Sequence, residues 1–341
     1  MLSEITITAP GANRAFFPLD ERWGLTYGVY SANRAQQMVW LSGLLTFEDC
    51  QAVFERIGNV HIPASSIWRC TQTAGARIRH HLAHEQGQVS VERTVVPHMS
   101  QDHAQQKGIS MDGGMVHIRE EGWKEFKVGT VFDVELRLER DKRTEEFVER
   151  AHGVNMAYTA VLGTVDHFAP ALWELAVRHD IPTARDSSVS ADGAEWIWNL
   201  VADLFPDSVQ VVDWYHALQH LSDAAKAVFP DDETKARRWF ETSTDELFQG
   251  NVFKIIQFLE RRELADHAHY FKVHQRRMQY AEFQEQGYPI GSGTVESGVK
   301  QFKVRLTGPG MRWSRTGAER MLVIRAAVMQ GTFNALWQQA A

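Results

Sequence analysis

From Phe126 onward, apolar and polar residues alternate. Phe126, Val128, Thr130, Phe132, Val134, Leu136 and Leu138 take the even positions, and Lys127, Asp133, Glu135, Arg137 and Glu139 fall between them. A period of two belongs to a strand whose side chains point to opposite faces, so this run predicts a half-buried antiparallel strand. Glu121-Gly122 turns it back on Ile109 to Arg119, which makes a hairpin. Met156 to Leu162 predicts a third strand, Thr164 caps a helix to about Arg178, and Ser187 to Ala191 is a short buried strand. Trp196, Leu200, Val201 and Leu204 have helical spacing, and Val209 to Val212 is another buried strand. The expected order is therefore β-β-β-α-β-α-β.

Helical patterns flank this core. Residues 1–30 are punctuated by Pro10, Gly11, Pro18 and Gly24 and predict an irregular lead-in. Residues 31–106 predict a helical region. Ser31 caps a helix to Leu41, Thr46 and Asp49 form a T-x-x-D capping box ahead of a second that ends at Gly58-Asn59, and Pro63 opens a third carrying Ile67, Trp68, Thr71, Ala74 and Ile78. The last two have the spacing of a helix-turn-helix that would set Ser65, Ser66 and Arg69 against DNA; an ordinary helical hairpin has the same pattern. A linker is expected from about Gly87 to Lys107, and the core's first part spans 107–216. Residues 217–290 predict an all-helical insertion whose aromatics, among them Trp239, Phe258, Phe271 and Tyr280, fit a helical core. Residues 291–341 complete the core with C-terminal helices.

Composition narrows the classes of function. The 341 residues are 44% hydrophobic, enough to bury a full core. With 36 basic and 43 acidic residues the net charge is −7, so any contact with nucleic acid must be local. Two cysteines, Cys50 and Cys70, are too few for a disulfide framework or a four-cysteine zinc site, which points to a reducing cytoplasm. No run approaches the roughly 20 apolar residues of a membrane span, and no signal sequence is visible.

Three carboxylates carry the candidate chemistry. Asp112 lies in Met111-Asp112-Gly113-Gly114, at a strand entry where glycines would let a metal or substrate approach, although aspartates at turns are common. Asp192 follows the fourth strand, where α/β sheets place their sites; with Glu195 it also reads as a D-x-x-E helix start. Glu296 begins a helix that shares one face with Lys300 and Lys303, while Val295, Val299, Phe302 and Leu306 make the apolar stripe. From Glu296 to Arg325 there are seven basic residues, including Arg305, Arg312 and Arg315, against two acidic ones. Lysines and arginines hold phosphates, and oxygen-only ligands suit Mg²⁺ or Mn²⁺, two of which could activate a water or 3′-hydroxyl and steady the leaving oxygen. Asp213 and His216, in Asp213-Trp214-Tyr215-His216, are supporting candidates, and with His220 they have zinc-like spacing, the basis of a zinc-hydrolase alternative.

Five stretches in order resemble the bacterial insertion-sequence DDE transposases, in particular the ISKra-type branch of the Mutator-like lineage. They are Met111 to Gly114, Ala191 to Ile197, Val211 to His216, Gly291 to Ser297 and Gly310 to Trp313, within a similarity running from about Phe17 to Trp337. The resemblance implies an α/β fold with a ribonuclease H-like mixed-sheet core. It also implies Asp112, Asp192 and Glu296 as the metal-binding catalytic triad, and Asp213 to His216 as the family's C/D-x-x-H motif. Asp213 remains an alternative second acid. The partners implied are double-stranded DNA at the element's terminal repeats, target DNA, and a second copy of the chain in a synaptic complex, inside a bacterial cytoplasm and at the nucleoid when bound. The branch's cysteine-rich N-terminal segment has no counterpart here, which puts recognition of the DNA ends in doubt. Alternatives are a transposase-derived DNA-binding regulator without catalysis and another ribonuclease H-like nuclease.

Overall fold

The computed structural model describes residues 30–88, 106–140 and 145–340. The expected lead-in up to residue 29 and most of the expected linker lie outside the described residues. The chain divides into two compact units. Among the described residues, one is formed by 30–84, 118–120 and 305–340, and the other by 85–88, 106–117, 121–140 and 145–304.

The second unit is α/β. Its strands are β1 (Gln106–Ile118), β2 (Gly122–Arg140), β3 (Phe147–Leu162), β4 (Asp186–Ala191) and β5 (Val209–Val212). They form a mixed sheet in the order β3-β2-β1-β4-β5, with β2 antiparallel to β3 and β1, β4 and β5 mutually parallel. Helix α4 (Val165–Arg178) links β3 to β4, and α5 (Glu195–Leu204) links β4 to β5. The sequence order and element types are as expected.

The burial of β2 differs from expectation. Phe126 to Phe132 are buried on both faces, whereas Leu136 and Leu138 are exposed. Leu172 of α4 lies over Gly129 on one face, and on the other the Phe302 ring sits 6.2 Å from Phe126. Alternation marked the strand correctly, but elements far along the chain cover both its faces, so its inner half is central and its outer half solvated.

The expected helical insertion folds as α6 (Trp214–Val228), α7 (Glu233–Phe248), α8 (Val252–Glu260), α9 (Ala265–His274) and α10 (Tyr280–Glu285). It is no separate body, since Leu221, Leu247, Ile255, Phe271 and Tyr280 share one apolar core with Ile109, Val189 and Val211 of the sheet. Most of the aromatic series is core, as expected: Phe271 and Tyr280 are fully buried and Trp239 stacks on Phe258 at 4.9 Å, but Phe253 is 47% exposed. Helix α11 (Gly293–Leu306) follows, with Val295, Val299, Phe302 and Leu306 all buried.

The other unit is helical. Helices α1 (Ala32–Ser42), α2 (Phe47–Arg56) and α3 (Ala64–Gln88) supply its N-terminal part. Ser31 and Thr46 cap α1 and α2 by accepting from Arg34 N and Asp49 N. The C-terminal helices α12 (Arg315–Met329) and α13 (Phe333–Gln339) join this unit instead of completing the sheet: Ile324, Phe333 and Trp337 pack with Met38, Phe54, Ile67 and Ile78. That corrects the expected 291–341 segment. No local pattern says which distant apolar face a C-terminal helix will meet.

Candidate metal and phosphoryl-transfer site

The register of the parallel strands sets the site. Met111 pairs with Ala191, and Ala191 with Val212. The next residues, Asp112, Asp192 and Asp213, therefore stand in a row at one level of the sheet, on strands roughly 5 Å apart; Asp192 and Asp213 lie just past β4 and β5, whereas Asp112 is midway along β1 and not at a strand entry as expected. Carboxyl ends of parallel strands are where α/β sheets build sites.

The fourth acid arrives through a loop stitched to the same edge. Ser190 Oγ of β4 donates to Pro289 O at 2.9 Å, Trp214 N donates to Ile290 O at 2.9 Å, and Thr294 Oγ1 lies 3.5 Å from Ser110 Oγ of β1. These bonds fix the start of α11, so Glu296 in its first turn faces the strand ends.

Each acid sits in a different environment. Burial pushes the Asp112 carboxyl up, and the Asp192 charge adds to this; the Gly113 N–H, Lys303 and His216 act the other way. Asp192 is half-buried and Oδ1 accepts from Ala194 N at 2.9 Å, so it shapes the turn without capping α5, whose N-cap position is Ala194. Asp213 is fully buried; Oδ1 caps α6 by accepting from His216 N at 2.7 Å, and Oδ2 accepts from the backbone N of Ser292, whose hydroxyl oxygen lies 2.9 Å away. Glu296 is half-buried. Oε1 lies 3.1 Å from Ser292 Oγ and 3.9 Å from His216 Nε2, and Oε2 lies 3.6 Å from Lys300 Nζ.

Among the described residues, Asp213, His216 and Glu296 bring ligand-capable atoms within 4.8 Å of one another. The expected trio of Asp112, Asp192 and Glu296 is not drawn together to that degree. The zinc-like set of Asp213, His216 and His220 does not form either, because the His220 ring lies flat on Tyr270 with centroids 3.6 Å apart.

Helix α9 backs the Asp192 turn. A Cβ at Gly193 would lie 2.5 Å from the Tyr270 ring and 3.2 Å from His274 Nε2, so only glycine lets the turn close against that wall. Burial holds the His274 ring down at about 4, with the Arg277 charge adding to this, which keeps it neutral behind the site. Tyr270, His274 and Ser292 were not singled out from the sequence. For Ser292 a signal existed, since it lies four residues before Glu296 at a helix start; for the α9 pair there was none. The glycines after Asp112 do not open the site as expected, because the Phe126 ring fills the space where a Cβ on Gly114 would go.

No protein-family model matches this chain, and no curated protein does.

The expected DNA-contacting residues part company. In the sheet-bearing unit Lys300 and Lys303 are exposed on α11. In the helical unit Arg312 is exposed and Arg315 is half-buried. Arg305 is a correction: 2% exposed, it donates through Nε to Ser42 O at 2.6 Å and lies over the rings of Phe47 and Trp313. Burial brings its guanidinium down to about 10. Arg325 is likewise buried, with Nη1 on Gly43 O at 2.9 Å. Part of the basic run thus faces inward and holds α1 in place. Ser65 and Arg69 are exposed, and Arg69 Nη2 donates to Ser66 Oγ at 3.0 Å. The expected pair of short helices is instead α2 and a 25-residue α3, joined by residues 57–63. Among the described residues no helix is long and apolar enough to cross a membrane.

Proposed function

We propose that this chain is a divalent-cation-dependent DNA strand transferase of the DDE transposase type, with Asp112, Asp192 and Glu296 as its metal-holding acids. The observation that carries the reading is the register Met111–Ala191, which seats Asp112 and Asp192 on neighbouring parallel strands with the start of α11 tied to the same edge. A three-strand meander whose first strand takes β4 in parallel on its other side supports the ribonuclease H-like form of the fold.

The residues fit a hard cation. Their donors are carboxylate oxygens, and the Asp112 charge is both desolvated and raised in energy by Asp192, a cost that a divalent ion held by these acids would offset. When bound, two such ions lower the pKa of an attacking water or 3′-hydroxyl and stabilise the leaving oxygen. Lys300 and Lys303 on the exposed side of α11 would hold the phosphate backbone. The DNA would be the element's terminal repeats and then the target, with two copies of the chain holding two ends.

The grouping of Asp213, His216 and Glu296 favours a second reading, a hydrolase with one transition-metal ion on those three. Its weakness is that both oxygens of Asp213 already accept hydrogen bonds inside the protein.

The deciding experiment is cleavage of labelled DNA carrying the flanking repeats, with Mg²⁺ or Mn²⁺, by wild type and by alanine variants of Asp112, Asp192, Asp213 and Glu296. Metal-dependent cutting lost at Asp112, Asp192 and Glu296 supports the transposase. Binding of the repeats without any cutting would favour a DNA-binding regulator, and activity restored by zinc alone would favour the hydrolase.

A further inference from the structure

The Asp213 carboxylate receives two helix starts at once. Oδ1 caps α6, while Oδ2 takes the backbone N–H of Ser292, the residue at the N-cap position of α11, whose carbonyl accepts from Glu296 N at 3.1 Å. Both N-termini present partial positive charge to a fully buried anion, which stabilises it there without any cation. Asp213 has the chemistry of an anchor.

Ser292 stands between this anchor and the site. Its hydroxyl is 2.9 Å from Asp213 Oδ2 and 3.1 Å from Glu296 Oε1, and the side chain is buried. A hydroxyl has one proton to donate. Because the Ser292 N–H already serves Asp213 Oδ2, that proton is available to Glu296 without leaving the buried carboxylate unsatisfied. Glu296 is otherwise at the end of a flexible side chain, near Lys300 and His216 on its open side.

We infer that Ser292 is a positioning residue: braced by Asp213, its hydroxyl fixes the direction in which Glu296 presents its carboxylate to the Asp112–Asp192 edge. This rests on the transposase reading of those three acids. It assigns Asp213 to the frame of the site and leaves Asp192 as the second metal-holding acid.

The test is Mn²⁺ binding by isothermal titration to the full chain, in parallel with the Mg²⁺ dependence of DNA cleavage, for wild type, Ser292→Ala and Ser292→Thr. Outer partners of metal ligands typically contribute about 10- to 100-fold in metal affinity. The expected result is an Mn²⁺ affinity at least about tenfold weaker in Ser292→Ala, recovery to within about threefold in Ser292→Thr, and unfolding temperatures that match wild type. Equal Mn²⁺ affinity in wild type and Ser292→Ala would overturn the inference while leaving the metal-site reading intact, as would a threonine variant as weak as alanine. Wild type that takes up no Mn²⁺ would remove both. Asp213→Asn, if it folds, is expected to weaken Mn²⁺ binding as Ser292→Ala does; an unchanged affinity there would count against the brace.

Discussion

The turns that follow β4 and β5 begin alike and end differently. Each places an aspartate one residue beyond a parallel strand, at the same level of the sheet, before a helix. Yet Asp192 is half-buried with one backbone N–H on it, whereas Asp213 is fully buried and accepts from backbone N–H groups at two helix starts, one on each oxygen. Position along a strand does not decide a carboxylate's work. What decides it is how many of its lone pairs the protein itself has already used.

The sharpest way to break this contrast is to neutralise Asp192. Asp192→Asn is expected to lower metal-dependent cleavage by about a thousandfold, near 4 kcal/mol of barrier, with little change in unfolding temperature. A variant that unfolds instead would make the two turns equivalent. The mirror experiment is Asp213→Ala, which should cost about 3 kcal/mol of folding stability in a denaturant titration, because it removes a helix cap and leaves the buried Ser292 N–H unmatched. A loss under about 1 kcal/mol would contradict the anchor role.

The same logic sorts the basic residues of the C-terminal run. Arg305→Ala should cost about 2 kcal/mol through lost packing and the orphaned Ser42 carbonyl, with no change in the salt dependence of DNA binding. Lys300→Ala should leave stability nearly untouched and flatten the slope of log K against log salt by about 1, as loss of one phosphate contact does. Identical slopes in the two variants would show that burial had misjudged Arg305.

The smallest effect concerns Asp112. Burial and the Asp192 charge raise its carboxyl above the ordinary 3.8. A raised folded-state value means a contribution to stability that is present in acid and lost as pH rises through it. Without divalent ions, Asp112→Asn should therefore be slightly more stable than wild type at neutral pH and no more stable below about pH 4, which thermal melts across that range would check. A variant less stable at neutral pH would mean that the carboxylate is welcomed by its surroundings.

Much of this frame could be read from local pattern. The strand order, the helix caps at Ser31 and Thr46 and the buried stripe of Val295, Val299, Phe302 and Leu306 follow from spacing and end chemistry, which nearby residues control. Asp192, Asp213 and Glu296 could be found for the same reason, since each marks an element boundary, whereas Asp112, expected at a strand entry, lies midway along β1. The bond from Asp213 to Ser292 spans 79 positions, and the one from Arg305 to Ser42 spans 263, so no periodicity carries them. The basic run misled because charge was counted along the chain while burial is set across it. Trp68, next to the fully buried Ile67 on the same helix, is 48% exposed, because position on a helix constrains burial only when the partner face is known.

The helical unit is assembled from two stretches far apart in the sequence, with the acid-bearing sheet encoded between them. A ribosome therefore finishes the strands before it makes Ile324, Phe333 and Trp337, the residues that cover Met38 and Phe54. Early helices emerge with their apolar sides bare and stay so until α12 and α13 have been translated. Premature termination between β5 and α12 would release a chain with its three aspartates already placed and its first helices unsheltered, a natural substrate for chaperones and proteases.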